Sequence, residues 1–365
     1  MPYFFLTIQL KYDTIWVKFI QREGNPVENA YKIAEDILSA PSAKQGDFRS
    51  IELYGSAVRA QKKDAGHSTF RLENETGTGD ITIYQVFPGM ELIYNDMHME
   101  YCNKMQNSRT GIVEINYCRE GRCECSFGDR NYCYMSAGDL SICSLQKGAH
   151  TSCFPTSHYH GITVVLNLAE ITEEMKRILE LLSTDLMRIV ALSSKQDFYM
   201  VRASETARHI FAELYTVQEH LKPSYTKIKL VELLLMLTEL DDEMQKAEYI
   251  YISQTQRDRI RKIHDFVVEH MEEHHTIEEL ANRFELSPTA MKHYFKEVYG
   301  SSFYAYFRTY RLQIAERLLR DGKLSIAEIA GKVGYANPNK FTSAFRSAYG
   351  MPPTAYQKNV RMDRK

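Results

Sequence analysis

The chain has 365 residues, of which 44% are hydrophobic and 25% are charged, and its formal net charge is −2. This length predicts two or three domains, and the composition is ordinary for a globular protein. The sequence has no uncharged apolar run of the roughly 18 residues that a membrane helix needs, and no basic leader precedes an apolar segment. We therefore expect a cytoplasmic protein with no membrane contact.

The charge is distributed unevenly along the chain. Residues 253–365 carry a net charge of +6, whereas residues 1–252 carry a net charge of −8. Such an imbalance indicates a polyanionic partner for the basic C-terminal part.

The first half of the chain is rich in strand signals. Residues 1–50 form an extension of uncertain role, and the pattern from 51 to 168 alternates short β-branched and aromatic runs with turns such as Gly138-Asp139. Short strands spaced by about 8–12 residues predict a barrel or a sandwich.

Residues 169–240 show helical periodicity with wide apolar faces. The apolar positions include Ile210, Leu214 and several in Tyr225–Leu240. These faces predict either a homodimer interface or packing onto the β-rich domain, and the sequence leaves both interpretations open. The acidic residues 241–254 are predicted to be a linker.

The strongest signal is an internal repeat in residues 255–358, which are predicted to form one domain. Thr276–Phe284 matches Ser325–Val333, and Ser287-Pro288 matches Asn337-Pro338, with one extra residue in the second turn. This repeat predicts two helix-turn-helix units, at residues 276–299 and 325–349.

Each copy of the repeat carries its own helix boundaries. Thr276 with Glu279, and Ser325 with Glu328, have the spacing of a capping box. The second helix of each unit begins with an N-cap residue followed by proline and ends at Gly300 or Gly350.

The second helix of each unit is predicted to have an apolar face and a polar face. The apolar stripes are Met291, Phe295 and Val298 in one copy and Phe341, Phe345 and Ala348 in the other. Side chains that suit base edges in the major groove are Thr289, Lys292, His293, Asn339, Lys340, Thr342 and Ser343. Candidates for phosphate contacts are Ser287, Lys296, Asn337 and Arg346.

A helix over Phe303–Leu319 is predicted to join the two units. Its shared face is predicted to contain Tyr306, Tyr310, Ile314 and Leu318. At ~1.5 Å per residue it is roughly 25 Å long, so it can hold two recognition helices about one DNA turn apart.

The C-terminal pattern resembles the AraC/XylS family of bacterial transcription regulators. The resemblance covers residues 256–357 and includes Leu280-Ala281, Leu286-Ser287, Ile329-Ala330 and Val333-Gly334-Tyr335. It implies binding to a double-stranded DNA operator through two successive major-groove segments, control of RNA polymerase, and an N-terminal part that senses a small-molecule effector, often in a cupin-like barrel.

The sequence departs from the family pattern on both recognition helices. His293 and Ser343 stand where the family usually has arginine. This departure favours Lys292 and Asn339 as the main base-reading residues.

The resemblance gives the fold class as α+β. It combines a cupin-like β-barrel sensor domain at 51–168, a helical dimerisation or packing region at 169–240 and an all-α C-terminal domain with two helix-turn-helix units. The segment Gly77–Tyr94 is similar to siderophore-responsive members of the family, which makes a siderophore one candidate effector.

The β-rich part contains histidines and cysteines that are candidate functional groups. His150, His158 and His160 are candidates for an effector pocket, but His158-Tyr159-His160 lacks the glutamate of an enzymatic cupin metal site. We therefore expect no metal, no cofactor and no enzymatic activity.

All seven cysteines lie between Cys102 and Cys153. They are interpreted as small buried residues, and the alternative is a thiol- or metal-sensing regulator that uses the Cys/His-rich β domain. A cupin-type enzyme fused to a DNA-binding domain is the third hypothesis.

Overall fold

The structure is a computed structural model, and it describes residues 5–10, 13–18, 50–64, 66–104, 111–127, 130–145, 151–195, 199–240 and 250–363. Most of the predicted extension 1–50, most of the predicted linker 241–254 and His150 lie outside the described residues. Near the N-terminus, strands β1 (Phe5–Leu10) and β2 (Asp13–Lys18) form an antiparallel hairpin.

The β-rich part contains a large antiparallel sheet of eight described strands, in the order β14-β11-β8-β13-β6-β5-β4-β3. Alternation of buried and exposed residues along these strands gives the sheet two distinct faces. The strands are β3 (Val58–Asp64), β4 (His67–Asn74), β5 (Gly77–Phe87), β6 (Met90–His98), β8 (Ile112–Gly121), β11 (Leu140–Ser144), β13 (Tyr159–Asn167) and β14 (Tyr199–Val201).

A smaller sheet of five described strands packs against one face of the large sheet, in the order β15-β10-β9-β12-β7. Its strands are β7 (Tyr101–Asn103), β9 (Cys123–Phe127), β10 (Asn131–Met135), β12 (Thr151–Cys153) and β15 (Ile252–Ser253). Apolar residues of both sheets, such as Ile93, Met135 and Phe154, form the core between them.

Apart from the β1–β2 hairpin, the described strands form two open sheets and do not close into one barrel, so the cupin-like barrel is not confirmed. The reason is visible in the pairing: β3 ends the large sheet on one side and β14 ends it on the other. The coarser prediction of a β-rich N-terminal part followed by a helical C-terminal part holds.

Four helices cover the opposite face of the large sheet. They are α1 (Glu173–Leu181), α2 (Leu186–Lys195), α3 (Glu205–Thr216) and α4 (Lys222–Thr238), with a 3-10 turn at Glu219–Leu221 before α4. Another 3-10 segment, Ser50–Ala57, contributes Tyr54 to the core between the two sheets. Ile210 and Leu214 are fully buried against strand residues such as Tyr117, whose ring stacks on Phe211 at 4.2 Å. These helices therefore pack onto their own sheet, and the predicted dimer face cannot use Ile210 and Leu214 without unfolding that core.

The C-terminal part consists of seven helices among the residues described. They are α5 (Gln254–Glu269), α6 (Ile277–Arg283), α7 (Pro288–Tyr299), α8 (Phe303–Asp321), α9 (Ile326–Lys332), α10 (Pro338–Tyr349) and α11 (Pro353–Asp363). One core surrounds Phe295 and Phe307, and a second surrounds Phe341 and Phe345, so each helix-turn-helix unit has its own apolar centre. Within the described part of the chain, no helix is both long enough and apolar enough to cross a bilayer.

Candidate nucleic-acid interface

The first helix of each helix-turn-helix unit begins with a hydrogen-bonded capping box. The Thr276 hydroxyl accepts from the Glu279 backbone N–H at 3.2 Å, and the Glu279 carboxylate accepts from the Thr276 N–H at 2.9 Å. Ser325 and Glu328 repeat both bonds at 3.3 and 2.7 Å. Both predicted capping boxes are confirmed, and the backbone hydrogen bond from Thr276 holds the pKa of Glu279 below its ordinary value.

The second helix of each unit is also capped at both ends as predicted. Ser287 Oγ accepts from the Ala290 N–H at 3.1 Å, and Asn337 Oδ1 accepts from the Asn339 N–H at 2.8 Å. The helices end in the left-handed region that glycine adopts without strain, at Gly300 (φ 80°) and Gly350 (φ 75°).

The apolar stripe of α7 is buried as predicted, since Met291, Phe295 and Val298 have no exposed surface. In α10, Phe341 and Phe345 are equally buried, but Ala348 is exposed and the prediction for it is wrong. The stripe continues at a spacing of four residues to Tyr349, whose ring stacks on Phe345 at 4.5 Å.

The polar faces of both recognition helices lie on the outside of the domain. Among the candidates for base and phosphate contacts, the structure leaves Thr342 half-buried. The exposed candidates are Ser287, Thr289, Lys292, His293, Lys296, Asn337, Asn339, Lys340, Ser343 and Arg346. The apolar side of each helix packs in the core, and the polar side is exposed to solvent. Each helix can therefore offer hydrogen-bonding groups in a groove of DNA.

Helix α8 joins the two units as one uninterrupted helix of 19 residues, roughly 28 Å long. It extends two residues beyond the predicted end, to Asp321, and terminates at Gly322 with a φ of 69°. The predicted face of Tyr306, Tyr310, Ile314 and Leu318 packs against the two cores, but these residues are half-buried and flank a line of residues that is fully buried. The buried residues are Phe303, Phe307, Leu312, Ala315 and Leu319.

A buried carboxylate connects the small sheet to the first helix of the C-terminal part. Glu124 on β9 receives Arg257 Nη1 at 3.2 Å and Arg261 Nη2 at 2.8 Å, both from α5. The Tyr134 hydroxyl donates to the same carboxylate at 2.8 Å. The side chain of Glu124 is only 5% exposed, and the two arginines of α5 balance its negative charge. These ion pairs therefore connect the small sheet to the DNA-binding part.

Two further contacts hold this junction. The two-residue strand β15 pairs with the edge strand β10, with Tyr132 opposite Ile252. Arg122 donates to the Ser136 hydroxyl at 2.8 Å and to the Glu297 carbonyl near the end of α7. The first helix-turn-helix unit is thus docked on the sheets through α5 and through the end of its recognition helix.

A cavity of about 290 Å³ lies between the two sheets. Its lining combines an apolar part, including Met97, Met135 and Phe154, with polar groups such as Asn116 and with Glu124 at the junction. Small-molecule sites combine apolar side chains with polar groups that fix the orientation of the ligand, and about half of the residues that line this cavity are polar or charged. Sequence reasoning missed the cavity, because its lining comes from strands that are distant along the chain.

The cavity wall contains a buried ion pair. Lys104 Nζ lies 2.9 and 3.1 Å from the two carboxylate oxygens of Glu114, and the two side chains are 11% and 5% exposed. Burial opposes the charge on Lys104, but the adjacent Glu114 more than offsets it, so the pKa of Lys104 is raised above its ordinary value. Lys104 therefore stays protonated and places a fixed positive charge in the cavity wall.

The seven cysteines are free thiols, and three of them are fully buried. Burial raises the pKa of Cys118 and Cys153, and it raises the pKa of Cys143 to about 12. Because the thiolate is the reactive form, these groups are unreactive at neutral pH. This environment supports the packing interpretation over thiol sensing.

Of the histidines predicted for an effector pocket, His158 and His160 do not line the cavity, and His150 lies outside the described residues. His160 alternates on β13 with Tyr159, which does line it, so the His160 side chain points to the opposite face of the sheet. His158 lies beside His160, with ring centroids 4.7 Å apart. The sheet separates both rings from the cavity.

Comparisons with known proteins agree with the C-terminal geometry. A family model described as a helix-turn-helix domain matches residues 280–359. A putative AraC-like transcription regulator of Streptomyces lividans is 33% identical over 87 residues, which are 24% of this chain and 29% of that protein. The virulence regulon transcriptional activator VirF of Yersinia enterocolitica is 29% identical over 133 residues, 35% of this chain and 47% of VirF.

A solved structure is similar over the same region. The DNA-binding domain of AdpA, a global transcriptional factor, in complex with a target DNA is 29% identical and covers 29% of this chain and 96% of that one, with a TM-score of 0.28. The chain spans less than half the length of the two relatives named above.

Two capped helix-turn-helix units joined by a long helix define a DNA-binding domain of the double helix-turn-helix class. This domain is of the AraC type.

Proposed function

We propose that the protein is a sequence-specific transcription regulator that binds double-stranded DNA with α7 and α10 in two successive major grooves. The observation that carries this proposal is that both recognition helices have two different sides. The aromatic and aliphatic anchors of one side are buried in the core of their own unit, and the other side exposes donors, acceptors and positive charges. Bound near a promoter, the protein would raise or lower transcription by recruiting or blocking RNA polymerase.

Within the interface, we assign base reading mainly to Lys292 on α7 and Asn339 on α10, with the remaining exposed groups of the same faces beside them. Lysine donates to guanine, and asparagine pairs with adenine through two hydrogen bonds. Lys296 and Arg346 lie later on the same helices and suit phosphate contacts.

The test starts from an operator selected from a genomic DNA library with the full-length protein. Lys292→Ala and Asn339→Ala are each expected to weaken operator binding by ~1–3 kcal/mol, which is about fivefold to more than a hundredfold. Lys262→Ala removes an exposed lysine from α5, outside both recognition helices, and serves as the matched control. Wild-type affinity of both recognition variants would refute the assignment.

We also propose that a small-molecule effector binds in the cavity between the sheets. Lys104, Glu114 and Asn116 supply charge and hydrogen bonds, and the apolar wall supplies burial. Glu124 lines the cavity and binds two arginines of α5, so a ligand that displaces this carboxylate changes the docking of the first helix-turn-helix unit. The volume of about 290 Å³ favours a compact ligand over a siderophore.

A thermal-shift screen of small metabolites and iron chelators tests the effector proposal. A true effector is expected to stabilise the wild type and to change its operator affinity. The double variant Lys104→Met with Glu114→Gln removes the charges as a pair, so that no uncompensated charge is left buried. Equal stabilisation of this variant by the compound would place the ligand elsewhere.

A further inference from the structure

Three imidazoles lie together at one end of the large sheet, on the face opposite the cavity. His98 is the last residue of β6, His160 lies on β13, and His158 immediately precedes β13. One ring nitrogen from each lies within 4.8 Å of the other two. The strand register brings them together, because His160 pairs directly with Asp96, two residues before His98.

Each of these imidazoles has a carboxylate next to its Nε2 atom. Asp96 Oδ1 lies 2.8 Å from His98 Nε2 and 2.6 Å from His160 Nε2, and Glu120 Oε2 lies 3.8 Å from His158 Nε2. Asp96 Oδ1 and His160 Nε2 are buried atoms without a hydrogen-bond partner among the described residues, so their close approach lacks hydrogen-bond geometry.

Two of the other ring nitrogens lie close together. His98 Nδ1 and His158 Nδ1 are 3.5 Å apart. Ligand atoms on a tetrahedral ion with bonds of ~2.0–2.1 Å lie roughly 3.3–3.5 Å from one another. A carboxylate on one imidazole nitrogen and an ion on the other is the usual arrangement of metal-binding histidines, because the carboxylate orients the ring and raises its basicity.

From this geometry we propose that His98, His158 and His160 bind a divalent transition-metal ion of the kind that prefers imidazole, such as Zn²⁺ or Co²⁺. Asp96 and Glu120 orient the three rings. Three protein ligands leave a fourth position of the ion for water or a small anion. The half-exposed His98 side chain places this position towards solvent.

The site is independent of the cavity and of the cysteines. Asp96 and His98 alternate along β6 with the cavity residues Asn95 and Met97, and His160 follows the cavity residue Tyr159 on β13. The side chains of Asp96, His98 and His160 therefore point to the other face of the sheet. The ion would tie the central strands β6 and β13 together. It would also lie close to Gly121, which pairs with Tyr159 next to His158 and precedes Arg122, the residue that reaches α7.

The test uses the full-length protein dialysed against Co²⁺, because the visible spectrum of bound cobalt distinguishes imidazole and carboxylate ligands from thiolates. One equivalent of Co²⁺ without a sulfur-to-metal charge-transfer band is expected, with competition by Zn²⁺. His98→Ala with His160→Ala is expected to abolish this equivalent, and Asp96→Asn to weaken it ~10–100-fold. His209→Ala removes an exposed histidine from α3 and should leave binding unchanged.

The outcomes separate clearly. Less than one bound equivalent in the wild type, a thiolate spectrum, or retention of the ion by the double histidine variant would each overturn the proposal. If the double variant fails to fold, which its metal-free thermal unfolding reports, the single variant His98→Ala takes its place. The His98 side chain is 56% exposed, so its truncation leaves the core intact.

Discussion

The junction at Glu124 allows a quantitative prediction. Glu124→Gln removes the negative charge that Arg257 and Arg261 share, but it keeps the size of the side chain and an acceptor for the Tyr134 hydroxyl. Loss of one partner from a buried ion pair costs ~3–5 kcal/mol, and a hydrogen bond to a charged group contributes ~1.5–3 kcal/mol. Arg261 is 36% exposed and is partly solvated after the change, so we expect a loss of about 2–3 kcal/mol.

This loss is measurable by thermal unfolding and by amide hydrogen exchange. For a domain of ~150–250 residues, 2–3 kcal/mol lowers the melting temperature by about 4–12 °C. Exchange should accelerate first in α5, because Arg257 and Arg261 lie on that helix. Glu73→Gln alters an exposed glutamate of the large sheet and is expected to stay within ~0.5 kcal/mol of the wild type. Unchanged melting and unchanged exchange in α5 would refute the view that this carboxylate holds the junction.

Three further predictions concern the C-terminal domain. Phe295→Ala should destabilise the domain by ~3–5 kcal/mol in urea unfolding, because it leaves a cavity in the first core; a loss below ~1 kcal/mol would contradict that burial. Thr276→Ala should cost ~1 kcal/mol by removing the cap of α6, and equal stability of variant and wild type would show that water replaces the cap. Lys296→Ala and Arg346→Ala should each reduce the slope of log affinity against log salt by about 1 if they contact phosphates, and an unchanged slope would exclude that contact.

The sequence predicted the C-terminal domain in detail because its signals are local. A capping box needs only a hydroxyl and a carboxylate three residues apart, and a left-handed helix end needs a glycine at one position. Thr276, Ser325, Gly300 and Gly350 therefore identified helix ends before any tertiary contact was known. The error at Ala348 arose where the local pattern offered two apolar neighbours and packing selected Tyr349.

The N-terminal part was harder to predict because its functional groups meet through strand pairing. His98 lies 60 residues before His158, and only the register of β6 against β13 brings their rings together. In the same way, Lys104 and Glu114 form an ion pair across ten residues that include an undescribed segment. A strand pattern shows which residues share a face, but it does not show which strands are neighbours, so neither the cavity nor the open sheets could be derived from it.

The attachment of the DNA-binding part has a mechanical consequence. The contacts described at the junction fall on β15, α5 and the end of α7, all on the side of the first unit, while the second unit is carried at the far end of α8. A tilt of only about 10° at the near end of a ~28 Å lever displaces its far end by roughly 5 Å, more than the ~3.4 Å rise of one base pair. A very small rearrangement beside β9 and β10 is therefore enough to align the second recognition helix, α10, with its major groove or to move it out of alignment.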